Sequence, residues 1–325
     1  MIEKISKYRK ELFGISTIAI VLFHIGTYTN LLPSTWLVGK IVSLIFEVGN
    51  SGVDIFLLLS AIGLTYSLKK NTLPVFYLNR IKRTFVPYLL FTLFYFIWYD
   101  FFALKDGLLQ YSFNVLTLNY FIVGPGFPLW FIPFIMVMYL LFPIIDYINN
   151  KSKLYTVLIA VLIIVVEFLL YLSKSDLYTK FEIPISRIPA FLFGVLIANS
   201  KISFSKKYNL FLLPVGFISL FSYYLLPLPE MFNRFLLFIF AFSMVVLYIT
   251  LRELYKIDIL GKINSYIGGF SLEIYVSNVL FIQIIKYYNL WKTIPSALWY
   301  LIIPLVALLV SLLVSKIVGL FLKKI

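Results

Sequence analysis

One histidine and one aspartate are the residues of this chain whose types and positions most readily support chemistry. His24 lies in the first apolar run and Asp54 in the second. If the runs are helices crossing a membrane in opposite directions, both side chains lie roughly 21 to 23 Å from the cytoplasmic end, at about 1.5 Å per residue. A carboxylate on one ring nitrogen would leave the other nitrogen as a base that activates a hydroxyl for acyl transfer. The alternatives are a structural histidine between helices and a helix cap at Asp54.

Two further carboxyl groups stand within apolar runs, at Glu167 and Glu273. Ionisable side chains are costly at membrane depth, so each needs a partner or a function. Pairing with an arginine and a second proton-transfer role are the two alternatives, and a structural role is favoured for Glu167.

A basic cluster precedes the third apolar run, at Arg80, Lys82 and Arg83. The planar guanidinium group binds phosphate through paired donors, so a nucleotide-bearing donor such as coenzyme A could dock here. The alternative is a positive anchor that contacts anionic membrane lipid. Arg9, near the start of the first run, allows the same two interpretations.

The composition requires lipid as the solvent that surrounds these residues. Hydrophobic residues make up 62% of the 325 positions, charged residues make up 13%, and the mean hydropathy is +0.97. The apolar runs are continuous and reach the roughly 20 residues that a spanning helix needs, whereas barrel strands alternate over about 10. We therefore expect an all-α integral membrane protein forming one membrane-embedded domain over residues 1–325.

Breaks between the runs predict about ten transmembrane helices. Most of the basic residues fall in alternate breaks, beginning with the N-terminal segment, so the positive-inside rule places both termini in the cytoplasm. The predicted spans cover residues 12–29, 41–66, 84–104, 128–148, 154–172, 184–199, 209–226, 231–250, 267–285 and 297–319.

Composition also argues against several classes of site. The net charge of +14 is distributed over the breaks rather than over one basic face, which favours topology over nucleic-acid binding. The chain has no cysteine and a single histidine, so we expect no thiolate catalysis, no disulfide and no metal.

Six segments, in this order, resemble the acyltransferase 3 family of membrane-bound acyltransferases, which modify sugars of surface polysaccharides, lipopolysaccharide or related glycans. The most specific is the GVDIFLLLS segment at residues 52–60. The others are residues 12–24 (LFGISTIAIVLFH), 76–83 (FYLNRIKR) with 86–88 (VPY), 128–132 (PLWFI) with 139–143 (YLLFP), 187–194 (RIPAFLFG) and 271–275 (SLEIY).

The resemblance implies site residues, and the chain departs from it at two of them. His24 falls on the family's catalytic histidine, while Phe13 occupies the place of an arginine and Asn278 that of a late histidine. Arg9, one helical turn before Phe13, is the candidate to substitute for the missing arginine.

Together these features predict an O-acetyltransferase of the plasma membrane. Acetyl-CoA would bind at the cytoplasmic mouth through Arg9, Arg80 and Arg83, and a capsular or other surface glycan, or its lipid-linked precursor, would accept the acyl group. His24 would act as base or acyl carrier and Asp54 would orient it, with Glu273 as a further catalytic residue.

Arg187 and Asn278 are candidate contacts to the acceptor, with a simple interfacial role as the alternative for Arg187. The rival functions are a transporter of lipid-linked sugars and a non-catalytic membrane scaffold.

Overall fold

The computed structural model describes residues 2–29, 37–200, 206–255 and 258–322, and every regular element within those ranges is helical. Long, continuous apolar runs favour helices, because a helix satisfies its own backbone hydrogen bonds in lipid. The helices are α1 (Ile2–Lys7), α2 (Arg9–Gly26), α3 (Leu37–Val48), α4 (Gly52–Lys70), α5 (Leu73–Arg80), α6 (Val86–Phe96), α7 (Gly107–Val115), α8 (Asn119–Val123), α9 (Phe131–Lys151), α10 (Lys153–Leu172), α11 (Asp176–Ile185), α12 (Ile188–Ala198), α13 (Lys206–Leu225), α14 (Glu230–Tyr255), α15 (Asp258–Gly269), α16 (Ser271–Tyr287) and α17 (Ser296–Leu322).

Seven stretches among the described residues are long and apolar enough to cross a membrane, which makes this a multi-pass membrane protein. They are Leu37–Lys70, Leu73–Ala103, Phe131–Lys151, Lys153–Leu172, Asp176–Ala198, Glu230–Tyr255 and Ser296–Leu320. The three other predicted spans are not among these seven stretches. The ninth falls on α15 and α16, which are bent by 68° at their junction, the seventh falls on a shorter apolar helix, Phe211–Leu225, and the first falls on α2, outside the seven. The count of ten spans and the cytoplasmic termini stay predictions.

The chain forms two compact units, each assembled from three separated stretches. The first unit comprises Met1–Ile20, Asn50–Asn71 and Leu141–Gly269, and the second comprises Val21–Gly49, Thr72–Leu140 and Phe270–Ile325. Neither unit is contiguous in sequence, so the single domain over residues 1–325 stays a prediction.

In the first unit, α4 and α12 pack closely around a shared apolar core. That core includes Leu58, Ile62, Ile197 and Val245, all of which are buried. A Cβ atom at Gly194 on α12 would lie 2.7 Å from the backbone oxygen of Leu58 on α4, so only glycine permits this approach.

The second unit interrupts its longest helix with two π-helical stretches, Ile81–Phe85 and Ile97–Ala103. At the second of these, the amide of Asn114 donates to both carboxylate oxygens of Asp100, at 2.8 and 3.0 Å, and Asn119 donates to Asn114. These three buried side chains connect the end of the long helix to α7 and α8. In this unit α16 also packs along α17, where the hydroxyl of Ser277 lies 3.1 Å from the carbonyl oxygen of Ala307.

Candidate functional site

His24 is held by a neutral amide within the second unit. It lies in the last turn of α2, and its Nδ1 atom is 2.8 Å from the Nδ2 atom of Asn278 on α16. Asn278 is fully buried, whereas His24 is only partly buried. One ring nitrogen is therefore fixed by a buried partner on a rigid helix. The sequence analysis assigned Asn278 to the acceptor, and the structure gives it this contact to the candidate base.

Aromatic side chains surround the imidazole ring of His24. The ring of Phe23 lies 5.6 Å away between centroids, and the ring of Tyr275 lies 6.3 Å away. Tyr275 in turn makes an edge-to-face contact with Phe131, with their centroids 5.7 Å apart. The imidazole of His24 thus lies near two aromatic rings as well as against Asn278.

Three other predicted site residues, Arg80, Arg83 and Glu273, also belong to the second unit. Arg80 and Arg83 flank the start of the first π-helical stretch, and the guanidinium of Arg80 lies over the rings of Phe76 and Tyr139, at 5.7 and 6.0 Å. The charge of Arg83 acts on the carboxyl group of Glu273, in the first turn of α16. π-helical turns occur frequently at functional sites.

Asp54 is paired with an arginine in the first unit. The Nη1 atom of Arg187 donates to the Oδ1 atom of Asp54 at 2.9 Å, and its Nη2 atom donates to Asn50 at 2.7 Å. The exposed fractions of the two charged side chains are 1% and 2%. Arg187 is therefore a buried structural partner of Asp54, and its contact with an acidic glycan stays a prediction.

Within its own unit, each of the side chains of Asp54 and His24 is held by a partner other than the one that the sequence predicted. His24, in the second unit, is bound by Asn278, and Asp54, in the first, is bound by Arg187. The direct role of Asp54 toward His24 stays a prediction.

A second ion pair of the first unit was not predicted from the sequence. Arg234 on α14 donates through its Nε and Nη2 atoms to the two carboxylate oxygens of Glu182 on α11. Glu167 on α10 is fully buried, and neither of its carboxyl oxygens has a hydrogen-bond partner among the described residues. Opposite charges on neighbouring apolar runs are the signal that could have identified Glu182 and Arg234.

Arg9 contacts Phe13 on the same helix, and its role as a substitute for the missing arginine stays a prediction. Its guanidinium lies over the Phe13 ring, 5.3 Å from the centroid. It also lies against Gly63 of α4, where any Cβ atom would overlap the guanidinium. The guanidinium of Arg9 thus lies between Phe13 and Gly63 in the first unit.

Ion pairs fix the N-terminal helices to α14 in the first unit. Arg252 donates to Glu11 at 2.8 Å, and Lys7 and Tyr8 donate to Glu253 at 3.0 and 2.6 Å. Hydrogen bonds with Tyr8 and Glu253 raise the pKa of the exposed Lys7 ammonium. These groups line an open cleft of about 500 Å³ that carries both signs of charge, so it resembles a structural network more than a phosphate site.

No three histidine, cysteine, aspartate or glutamate side chains within the described ranges come together as metal ligands would. The groups that the structure does bring together are an imidazole held by an amide, and a carboxyl group on which the charge of Arg83 acts.

Comparison with known proteins supports this chemistry. A family model for the acyltransferase domain of the acyltransferase 3 family matches residues 14–316. None of the curated proteins matches the chain, and neither does any solved structure. Because the match extends over nearly the whole chain and includes His24, Glu273 and Asn278, the protein belongs to the acyltransferase 3 family, whose domain is an acyltransferase.

Proposed function

We propose that the protein transfers an acetyl group from cytoplasmic acetyl-CoA to a hydroxyl group of a surface or capsular polysaccharide, or of its lipid-linked precursor, at the plasma membrane. The contact between His24 and Asn278 carries this proposal. A partly exposed imidazole with one nitrogen fixed is the arrangement that general-base catalysis of hydroxyl attack requires.

The amide of Asn278 selects the tautomer of His24. In one amide orientation its NH₂ group donates to Nδ1, and Asn278 Oδ1 then has no partner among the described residues. Rotation of the amide by 180° lets Oδ1 accept from a protonated Nδ1, and the NH₂ group then takes the position in which Oδ1 had no partner. The Nε2 atom then has a free lone pair, so the rotated orientation is the one we assign to the active enzyme.

The proposed reaction proceeds through this lone pair. His24 Nε2 removes the proton of the acceptor hydroxyl as its oxygen attacks the thioester carbonyl carbon of acetyl-CoA. The new C–O bond forms and the C–S bond breaks, and the imidazolium returns the proton to the departing thiolate, which leaves as free coenzyme A.

Arg80 and Arg83 are suited to bind the phosphates of the donor, with the charge of Arg83 also acting on Glu273. The sequence analysis assigns Arg9 to the same role. Glu273 and Asn278 lie on one helix, about 7.5 Å apart along its axis at about 1.5 Å per residue. Helix α16 therefore carries both the carboxyl group on which Arg83 acts and the residue that contacts the base. We place both termini in the cytoplasm, so that the donor arrives from that side.

Purified protein in lipid nanodiscs with radiolabelled acetyl-CoA tests this function. The unmodified protein should hydrolyse the donor or label an acceptor, and His24→Gln should lower the rate by at least about 100-fold. Phe94→Leu, which changes an exposed side chain of the same unit, is the control and should retain the full rate. Undiminished turnover by His24→Gln would disprove the role of the histidine.

One observation favours a transporter of lipid-linked sugars as the second candidate. The first unit buries the ion pairs Asp54–Arg187 and Glu182–Arg234, and charges at membrane depth often line a substrate pathway. A transporter would move unmodified glycan and would leave acetyl-CoA intact, so the same assay separates the two functions.

A further inference from the structure

Glu167 on α10 is a buried carboxyl group that the proposed mechanism does not use. In the 20-residue helix α10, the buried side chains are those of Thr156 and Glu167, while the apolar side chains remain exposed or partly exposed. Thr156 donates to the side-chain oxygen of Asn149 at 3.1 Å, whereas neither carboxyl oxygen of Glu167 has a hydrogen-bond partner in the part of the chain that the structure describes. The helix therefore turns a carboxyl group, and not an apolar side chain, into the first unit.

Two charged side chains on neighbouring helices act on this carboxyl group. They are Glu182 on α11 and Arg234 on α14, which belong to the same unit. Arg234 is bound to both carboxylate oxygens of Glu182, and the exposed fractions of these two side chains are 12% and 11%. Tyr178 on α11 interacts electrostatically with Glu167 and Glu182, and the exposed Glu230 at the start of α14 acts on Arg234. Helix α12, which also packs against α10, contains no ionisable residue.

The charges of this cluster favour a neutral form of Glu167. An ionised Glu167 would place a second negative charge near Glu182, whose guanidinium partner is already bound through both oxygens. It would also bury a carboxylate whose oxygens lack hydrogen bonds from the described residues, which costs much free energy. A proton removes both costs. It adds no volume, so it suits a carboxyl group whose two oxygens are shielded from solvent.

We propose that Glu167 binds one proton at neutral pH, which leaves Arg234 to Glu182, and that the two carboxylates compete for Arg234 once this proton is released. Release breaks the O–H bond of the carboxyl group and passes the proton to water. The competition follows because a deprotonated Glu167 carries the same charge as Glu182 and acts on the same guanidinium. This proton site lies in the first unit, and it does not depend on the proposed acetyl transfer.

The position of Glu167 near the end of its helix gives the proton a short path. It lies five residues before Leu172, the last residue of α10, or about 7.5 Å along the axis at about 1.5 Å per residue. Tyr178 is partly buried on the next helix, with its ring centroid 5.4 Å from that of Tyr171. A hydroxyl group both donates and accepts, so Tyr178 is suited to pass the proton between water and Glu167.

Infrared spectroscopy of the purified protein detects the proton directly. The carbonyl stretch of a protonated carboxyl group lies above the amide I band, and a detergent without ester groups keeps that region clear. At neutral pH, the difference spectrum between the unmodified protein and Glu167→Gln should show one carboxylic-acid band. The matched control is Asp176→Asn, which changes an exposed carboxyl group of the same unit and should lose no band.

A second variant tests the competition for Arg234. In Glu182→Gln the guanidinium loses its carboxylate partner and stabilises the ionised form of Glu167 instead, so the Glu167 band should largely disappear. An undiminished band in folded Glu182→Gln would overturn the competition. A spectrum in which Glu167→Gln loses no band would overturn the proton site itself.

The pH dependence of stability provides an independent measurement. The folded protein holds a proton on Glu167 that the unfolded chain releases above pH about 4.3, so raising the pH lowers stability. Between pH about 5 and about 9, the melting temperature of the unmodified protein should fall by about 3 °C or more relative to that of Glu167→Gln. Parallel curves would overturn the proposal. A missing band together with a melting temperature that rises in sodium chloride, but not in choline chloride, would also overturn it and would indicate a bound cation in place of the proton.

Discussion

Replacing Asn278 with leucine is expected to slow acetyl transfer by about 10- to 100-fold. The substitution removes the 2.8 Å contact to His24 while keeping a side chain of similar volume. A hydrogen bond of this kind contributes about 0.5 to 1.5 kcal/mol, and an unpaired buried polar atom costs roughly 1 to 3 kcal/mol. If about 1.4 to 2.7 kcal/mol of this is lost at the transition state, the rate falls 10- to 100-fold, at 1.36 kcal/mol per factor of ten.

The assay measures kcat and KM for acetyl-CoA with purified variants. Because Asn278 acts through His24 and does not bind the donor, the loss should appear in kcat, with KM for acetyl-CoA unchanged. Asn278→His should restore most of the rate, since a histidine can also bond to Nδ1. Ser277→Ala is the matched control, because Ser277 adjoins Asn278 on α16 and contacts α17 instead of His24.

A double-mutant cycle supplies the decisive result. In the His24→Gln background, Asn278→Leu should change the residual rate by less than about twofold, because the interaction that it removes is already lost. A full-size additional loss in that background would refute the view that Asn278 acts by orienting His24. Normal kcat in the single Asn278→Leu variant would refute it as well.

Three other substitutions test the first unit and the arginine on α2. Arg187→Ala should lower the free energy of unfolding by about 3 to 5 kcal/mol, because it leaves Asp54 buried without its cation. The double variant Arg187→Ala/Asp54→Ala should recover part of this loss, measured as thermal stability in detergent. Glu167→Gln should leave the melting temperature unchanged or higher, since both carboxyl oxygens lack a partner among the described residues and the amide carries no charge. A fall of more than a few degrees would contradict this. Arg9→Ala should raise KM for acetyl-CoA more than tenfold, and Arg9→Lys, which lacks the planar fork, should recover little of it. An unchanged KM in both variants would remove Arg9 from donor binding.

The features that depend on local sequence could be predicted. Apolar runs of about 20 residues determine helices in lipid regardless of the rest of the chain, which is why seven spans coincide with predicted ones. The six segments that resemble the family, of which GVDIFLLLS is the most specific, could be recognised for a similar reason, because each is short and contiguous.

The partners of the site residues could not be predicted, because they come from remote parts of the chain. His24 and Asn278 are 254 positions apart, and Asp54 and Arg187 are 133 apart. Counting residues along a helix gives the depth of a side chain but not the direction in which it faces. Matched depth therefore suggested a contact between His24 and Asp54, whereas the hydrogen bonds come from residues on α16 and before α12.

Because Arg9 on α2 lies against Gly63 on α4, the position of its guanidinium depends on residues of both helices. A Cβ atom at position 63 would lie 2.0 Å from Nη2 of Arg9, so even alanine there requires the guanidinium to move. Among relatives with an aromatic residue at position 13, the residues at positions 9 and 63 are therefore best read together.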